Sequence, residues 1–380
     1  MTKQLSNFPP QEKLIEGWSK NGRRWKRVLT KWGKIALPVQ RLVQHGEEKD
    51  EHLSIGMSDR SGVSPWVLNR YIDLGSRLPY NEASDVLYGF GIAVGDTKVN
   101  TVCHEYNLAC QNLVDDKLDE AAFDYLSTES TPLKTAVGKT WVLEVDGVII
   151  LKKPIKGECH GLEIKDAVLY PLNAPTQRYM YSSNCKSELF SNRLSGLLRC
   201  AGVKPEDKVL GLGDGALWIA DAFELLGIPY VIDVYHATSY LDTVMTALGW
   251  DEQRRARHRR KWCKGQSYAS YWLKHYIPDV TIVQTWSDEA QIAYRYLQKR
   301  QDHMNYKQLK AKDYPIGSGQ VEGMNKAVIG KRMKQSGMQW SPQGAAAMAT
   351  QRSQFCAAKP LVSFQQVRQL AFGSLPALAA

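Results

Sequence analysis

Lys208 to His236 reads KVLGLGDGALWIADAFELLGIPYVIDVYH. KVLGLG is a short apolar run that stops at Asp214-Gly215, ALWIADAFELLG carries apolar residues at helical spacing, and PYVIDVYH is a second β-branched run broken by Asp233. Strand, helix and strand at this spacing make a β-α-β unit. The two strands must then lie parallel, because only a parallel pair needs such a crossover. Asp214 and Asp233 stand at strand ends, and Gly211, Gly213 and Gly215 alternate between the first strand and the helix. Two architectures contain such a unit, and the flanking sequence chooses between them.

The first is a Rossmann-like domain, in which G-x-G-x-G and a later acid hold S-adenosylmethionine or a dinucleotide. It leaves three features without a role. Upstream, TWVLEVDGVIILKK, the turn PIKGE and HGLEIKDAVLY form an antiparallel hairpin, with RYMYSS as a third strand and a helix over Lys186 to Ala201. Downstream, Ala237 to Lys312 reads as helices only, and a further helix opens at Glu322. In the second architecture all of these have a place. Antiparallel strands lead into a parallel β-α-β unit, with Asp146 on the first strand, Asp214 after the fourth and Glu322 on a late helix, which is the order of the RNase H-like nuclease fold. The sequence therefore predicts an α/β chain: an RNase H-like mixed sheet flanked by helices, interrupted by an all-α insertion and preceded by a mainly helical DNA-binding region. The expected divisions are 1–60, a basic segment with one short strand over KIALPVQRLV; 61–130, helical; 135–236 with 313–352, catalytic; 237–312, the insertion; and 353–380, a tail. STESTPLK, Ser127 to Lys134, has linker composition.

Three carboxylates gathered by such a fold repel one another and are stable around a hard cation, so the expected cofactor is Mg²⁺ or Mn²⁺, two ions, serving phosphodiester cleavage. Glu322 lies in PIGSGQVEGMNKAVIGKRMKQSGMQW, Pro315 to Trp340, among Lys326, Lys331, Arg332 and Lys334. A carboxylate suits the first turn of a helix, and the cations beyond it suit DNA phosphates. Each acid also has a plain structural reading: Asp146-Gly147 and Asp214-Gly215 as turn pairs, and Glu322 with Lys326 as an i, i+4 ion pair.

Lys and Arg total 49 against 39 acids, a net charge of +10 that favours a polyanionic partner. The excess gathers in KNGRRWKRVLTKWGK, Lys20 to Lys34, in RRARHRRKWCK, Arg254 to Lys264, and in KRMK, Lys331 to Lys334. Trp25, Trp32 and Trp262 within the first two offer rings to sugar or base. Arg254, Arg255, Arg257, Arg259, Arg260 and Lys261 are expected to meet phosphates. NEASDVLYGF, the turn GIAVGD and TKVNTVCHEYNLACQN read as helix, turn, helix, which on DNA would present Lys98, Asn100 and Thr101; the plain alternative is a helical hairpin. Seven cysteines without a C-x-x-C pair read as reduced thiols. Charges interrupt every apolar run, and MTKQLSNFPPQEK lacks a signal peptide's apolar core, so the expectation is a cytoplasmic, nucleoid-associated protein with no membrane partner.

LEVDGV, LGDGALWI, VIDVYHATSYL and above all YPIGSGQVEGMNKAVIGKRMKQSGMQWS resemble the motifs of bacterial insertion-sequence DDE transposases, in the branch related to the Mutator-like elements. The likeness covers Trp141 to Arg352. It implies that Asp146, Asp214 and Glu322 are the DDE triad, that Asp233-x-x-His236 is the D-x-x-H signature, and that 237–312 is the insertion. It also implies cleavage and transfer of DNA strands at element ends, in a homo-oligomeric synaptic complex. For Asp233 and His236 two readings stand: a helix cap, or support of the metal site. A transposase descendant kept only for DNA binding is the alternative function, and a methyltransferase a more distant one.

Overall fold

The computed structural model describes residues 19–45, 47–50, 62–127, 138–154, 157 and 159–373. Nearly all of the Ser127–Lys134 linker lies outside them. The chain divides into two compact units, 1–113 with 362–380, and 114–361. Among the described residues no helix is long and apolar enough to cross a membrane.

The first unit begins with an antiparallel sheet of order β1-β2-β3, over Ser19–Thr30, Gly33–Gln44 and Glu47–Asp50. Here the single strand expected from KIALPVQRLV needs correction, because the basic run before it is its partner strand. Charge hides that strand from a hydrophobicity reading: only Val28, Leu29 and Thr30 at its end are buried. The turn is closed by Thr30, whose hydroxyl donates to the Gly33 carbonyl at 2.9 Å and accepts from the Trp32 N–H at 3.2 Å. Gly33, at φ +94°, takes the left-handed conformation the turn demands. Helices Pro65–Arg77, Tyr80–Gly89 and Asp96–Ser127 follow. The first is capped by Ser64 with proline in its opening turn. The last two are the expected helix-turn-helix, but the second is 32 residues long and continues into the other unit. Phe364–Phe372, read from sequence as tail, is a helix of this first unit with Phe364 against Tyr106.

In the second unit a five-stranded sheet has the order β6-β5-β4-β7-β8, over Tyr179–Ser183, Gly161–Pro171, Thr140–Leu151, Lys208–Gly213 and Tyr230–Ile232. β4 pairs antiparallel with β5, and β5 with β6, while β4 pairs parallel with β7, and β7 with β8. This mixed sheet flanked by helices is consistent with the RNase H-like arrangement expected, and a doubly wound parallel sheet would lack the antiparallel half. The alternating glycines have a packing role. A Cβ on Gly211 would stand 2.7 Å from the Phe223 ring, and one on Gly213 2.7 Å from Ile219, so both let helix Leu217–Leu225 settle on the sheet.

On the same side, helix Ser187–Cys200 is tied to the end of the long helix. Arg193 makes two 2.8 Å bonds to Asp119 and one of 2.9 Å to Asp115. After β8 come helices Val234–Ala247, Glu252–Cys263, Ala269–Tyr276, Asp288–Arg300 and Tyr306–Lys310, the helical run expected. Gly319–Met324 then continues through a π turn, Asn325–Gly330, into Lys331–Met333, and Pro342–Cys356 packs against β6.

Gly196 gives this packing a test with an unusual sign. In a helix interior Gly→Ala ordinarily stabilises by about 1 kcal/mol. A methyl at Gly196 would collide with the Leu118 carbonyl and the backbone around it. Gly196→Ala is therefore expected to destabilise by about 1–3 kcal/mol in urea unfolding. A stabilised variant would show that the two helices do not approach so closely.

Candidate active site

Successive residues of a strand face opposite sides, so Glu144 and Asp146 share one face of β4. The antiparallel register sets Asp166 of β5 directly opposite Asp146, and the parallel register aligns Glu144 with Leu212 of β7. Two residues further, that register leads Asp146 and Asp214 to neighbouring places. The carboxylates feel each other: burial first, and then the charge of Asp214, push the Asp146 carboxyl above its ordinary range, while bonds from Gly147 and Asn325 and the nearby His236 oppose the rise. Asp146 Oδ1 accepts the Gly147 N–H at 2.8 Å. Asp214 sits in the turn after β7, where Oδ1 accepts the Ala216 N–H at 2.8 Å. The turn-pair reading thus fits Asp214, whereas Asp146 lies inside a paired strand.

The helix bearing Glu322 lies over this face, held by buried carboxylates. Glu144, 1% exposed, accepts the N–H groups of Gln320 and Val321 at 2.9 and 2.8 Å, and the Tyr170 hydroxyl at 2.6 Å. Burial moves its carboxyl up to about 7 despite these donors. Asp233, fully buried, divides its two oxygens. Oδ1 accepts the N–H of Tyr235 and of His236, both at 2.8 Å, capping Val234–Ala247; Oδ2 accepts the N–H and hydroxyl of Ser318 at 2.7 and 3.0 Å. One turn beyond Glu322, the Asn325 amide donates to Asp146 Oδ2 at 2.6 Å. The buried Arg352 guanidinium serves the carbonyls of Ala327 and Val328 inside the π turn, a distortion frequent at functional sites. Beyond it, Trp340 is hydrogen-bonded to the end of β4 through Leu151 and Lys153.

The expected site residues are distributed as follows. Glu322 is half-buried and its side chain makes no hydrogen bond or ion pair among the described residues, so the i, i+4 pair with Lys326 does not form. His236 is half-exposed, with Nδ1 3.8 Å from Asp233 Oδ1. Lys326 and Lys331 are exposed. Arg332 is corrected: at 1% exposure it packs beside Trp340, where no phosphate can reach it. On Glu252–Cys263, Arg255 and Arg259 are engaged by Asp242 and Glu252, and Arg254 covers the Trp250 ring at 3.8 Å. Arg257, Arg260 and Lys261 stay exposed. Asn100 and Thr101 are exposed near the start of their helix, with Lys98 half-buried.

Among the described residues no group of three His, Cys, Asp or Glu side chains is placed to hold a metal ion. What is present is a partial donor set. The charge of Asp214 is felt at Asp146, and two buried oxygens nearby, Oδ2 of Asp166 and Oδ1 of Asn325, have no hydrogen-bond partner among the described residues. Oxygen donors of this kind suit a hard cation.

Glu144, Asp166 and Asn325 escaped the sequence reading. Glu144 could have been found from period two, as an acid on the same strand face as Asp146, and Asn325 from its position one helical turn after Glu322. Asp166 carries no local signal, since only the register brings it opposite Asp146.

The sequence matches no family model and no curated protein. Among solved structures, the crystal structure of the Mos1 strand transfer complex is 10% identical, covers 66% of this chain and 78% of its own, and superposes with a TM-score of 0.18. A pre-cleavage Mos1 transpososome is 9% identical over 65% and 78%, also at 0.18. A likeness this distant carries no argument about this chain.

Two substitutions test the anchoring. Asn offers one acceptor oxygen where Asp233 uses two, so Asp233→Asn must release either the helix cap or Ser318. It is expected to cost about 1–3 kcal/mol, and Asp233→Ala more. Glu144→Ala strands two helix-terminal N–H groups and a hydroxyl, an expected loss of roughly 3–9 kcal/mol at about 1–3 kcal/mol for each. Chemical denaturation reads both, and an Asp233→Asn protein as stable as the parent would refute the double role.

Proposed function

We propose that the chain is a DDE transposase that binds the ends of a mobile element and cleaves and transfers DNA strands, with Asp146, Asp214 and Glu322 holding two Mg²⁺ or Mn²⁺ ions. The observation that carries this reading is the convergence on Asp146: Asp214 reaches it through the parallel register, and the Glu322 helix through the Asn325 amide. Bound there, the cations would supply an activated attacking hydroxyl and stabilise the leaving oxygen. The protein's own part is positioning. β4 holds Asp146 rigidly, Asn325 fixes the direction of one of its oxygens, and Glu144 and Asp233 set the height of the helix from which Glu322 projects. His236, half-exposed beside Asp233, would support the metal site by donating to the scissile phosphate.

DNA contact is assigned to cationic surfaces. β1 and β2, two strands of the three-stranded sheet, form a basic antiparallel hairpin that carries Trp25 and Trp32, 73% and 66% exposed. Arg257 and Arg260 on the insertion, and Lys98 and Asn100 on the long helix, are further contacts. Joining two element ends requires more than one copy of the chain in the complex. A binding-only descendant is the second reading, and among the described residues the Glu322 side chain has no partner that ties it to Asp146 or Asp214.

Cleavage separates the two. Asp146→Ala, Asp214→Ala and Glu322→Ala are each expected to abolish Mg²⁺-dependent cleavage and transfer of element-end DNA while end binding persists. Full activity in any of them would remove that residue from the triad, and an inactive parent protein that binds ends would leave the binding-only reading. For the insertion, neutralising Arg257 and Arg260 together should flatten the slope of log affinity against log salt by about 1.8, at about 0.9 per phosphate contact. An unchanged slope would return both to the solvated surface.

A further inference from the structure

A buried carboxyl beside the candidate site is used neither in anchoring the late helix nor in the triad. Asp166 lies on β5, between β4 and β6, with Asp146 directly opposite on one side and Ser182 on the other. It is fully buried, and the Ser182 hydroxyl donates to its Oδ1. Its Oδ2 is buried with no hydrogen-bond partner among the described residues. A carboxylate oxygen taken out of water without a donor is destabilising, whereas an apolar residue of the same size would fill the interior of a sheet without that penalty. Packing therefore gives no reason for an acid at this position.

The groups around it are acceptors as well. Residues directly opposite across an antiparallel pair have Cβ atoms about 4.5–5.5 Å apart, so the Asp146 and Asp166 carboxyls share one patch of the sheet face. Asp146 accepts the Gly147 N–H on Oδ1 and the Asn325 amide on Oδ2, at 2.8 and 2.6 Å. Asn325 must present its nitrogen to that carboxylate, which leaves its Oδ1 at the other end of the amide, and this oxygen too is buried without a hydrogen-bond partner among the described residues. Two carboxylates and an amide oxygen are thus gathered from β4, β5 and the late helix, with one oxygen of Asp166 and that of Asn325 unserved. Such a set suits a small hard cation that keeps water in the rest of its shell. We infer that Asp166 is a ligand of the cation held at Asp146, with the Asn325 oxygen beside it, so that this ion binds in the absence of DNA and without Glu322. The inference rests on the proposed metal-dependent function and adds a ligand that the three-acid reading leaves out. Glu322 is then left to the second ion, which substrate phosphates help to complete.

The full chain, freed of metal by chelation and held without DNA, is titrated with Mn²⁺ while electron paramagnetic resonance counts the free ion. The parent should bind Mn²⁺, and Glu322→Ala should bind the first ion equally well. Asp166→Asn keeps the shape and can still accept from Ser182, yet it should weaken that binding by about 10- to 100-fold, the range for altering the groups around a metal. Asp166→Leu should weaken it at least as much. Urea unfolding without metal reads whether both variants fold, and added Mn²⁺ should raise the midpoint of the parent alone, since only a form that binds the ion is stabilised by it. Parent-like Mn²⁺ affinity in either Asp166 variant would overturn the inference and give Oδ2 to a buried water or a shared proton. Loss of the first ion in Glu322→Ala would overturn it too, because the ion would then belong to the triad alone. A parent that binds Mn²⁺ only together with element-end DNA, and cleaves that DNA, would overturn the inference and leave the proposed function standing. Neither binding nor cleavage under either condition would overturn both.

Discussion

Everything near Asp146 depends on how a helix is fastened to a sheet. A helix N-terminus carries N–H groups without intrahelical partners, and the helix that bears Glu322 brings two of them onto a buried carboxylate, Glu144. That contact is electrostatically favourable, since a helix N-terminus attracts negative charge, and it fixes the helix at one height above β4. Asp233 holds the preceding residue, Ser318, while Asn325 reaches down to Asp146 one turn later. The helix is thus located by two acids on β4 and one just beyond β8, and the Glu322 carboxylate projects from a frame in which Glu144 and Asp233 are taken up by donors.

That division of labour among carboxylates has a physical cause. A buried acid that accepts several donors is held in place and unavailable, and one facing a second acid across a parallel register is raised in energy until something positive arrives. Glu144 and Asp233 belong to the first kind, and Asp146, facing Asp214, to the second. Residue type alone does not separate them. Glu144 and Asp146 stand two positions apart in LEVDGV, and only their neighbours from other elements distinguish anchor from open ligand.

The order of strands and the helical insertion could be read from the chain, because each is written in local periodicity and in turn residues. The three candidate carboxylates could be read from their places at strand ends and at a helix start. What escaped depends on pairing at a distance. Asp166 meets Asp146 by register, Arg332 is buried through its contact with Trp340, and Arg255 and Arg259 are engaged by acids on two helices. β1 escaped for a different reason. A strand with one solvated side and cations along it gives no hydrophobic alternation, and only its hairpin partner reveals it.

The insertion leaves and returns through one side chain. Asp233 caps the helix that departs and holds Ser318 on the segment that comes back, with Val234 and Ile316 joined by a backbone bond beside it. The ends of the excursion are therefore pinned together whatever lies between them. Closure entropy grows only with the logarithm of loop length, about 0.6 kcal/mol per doubling, so added length between the pinned ends costs little by itself. The excursion nevertheless reaches back to the sheet, with Tyr296 and Arg300 donating to the carbonyls of Asp214 and Gly215 and Tyr306 to that of Ile232, so any change of its size must keep these three donors if the turn beside Asp146 is to stay where it is.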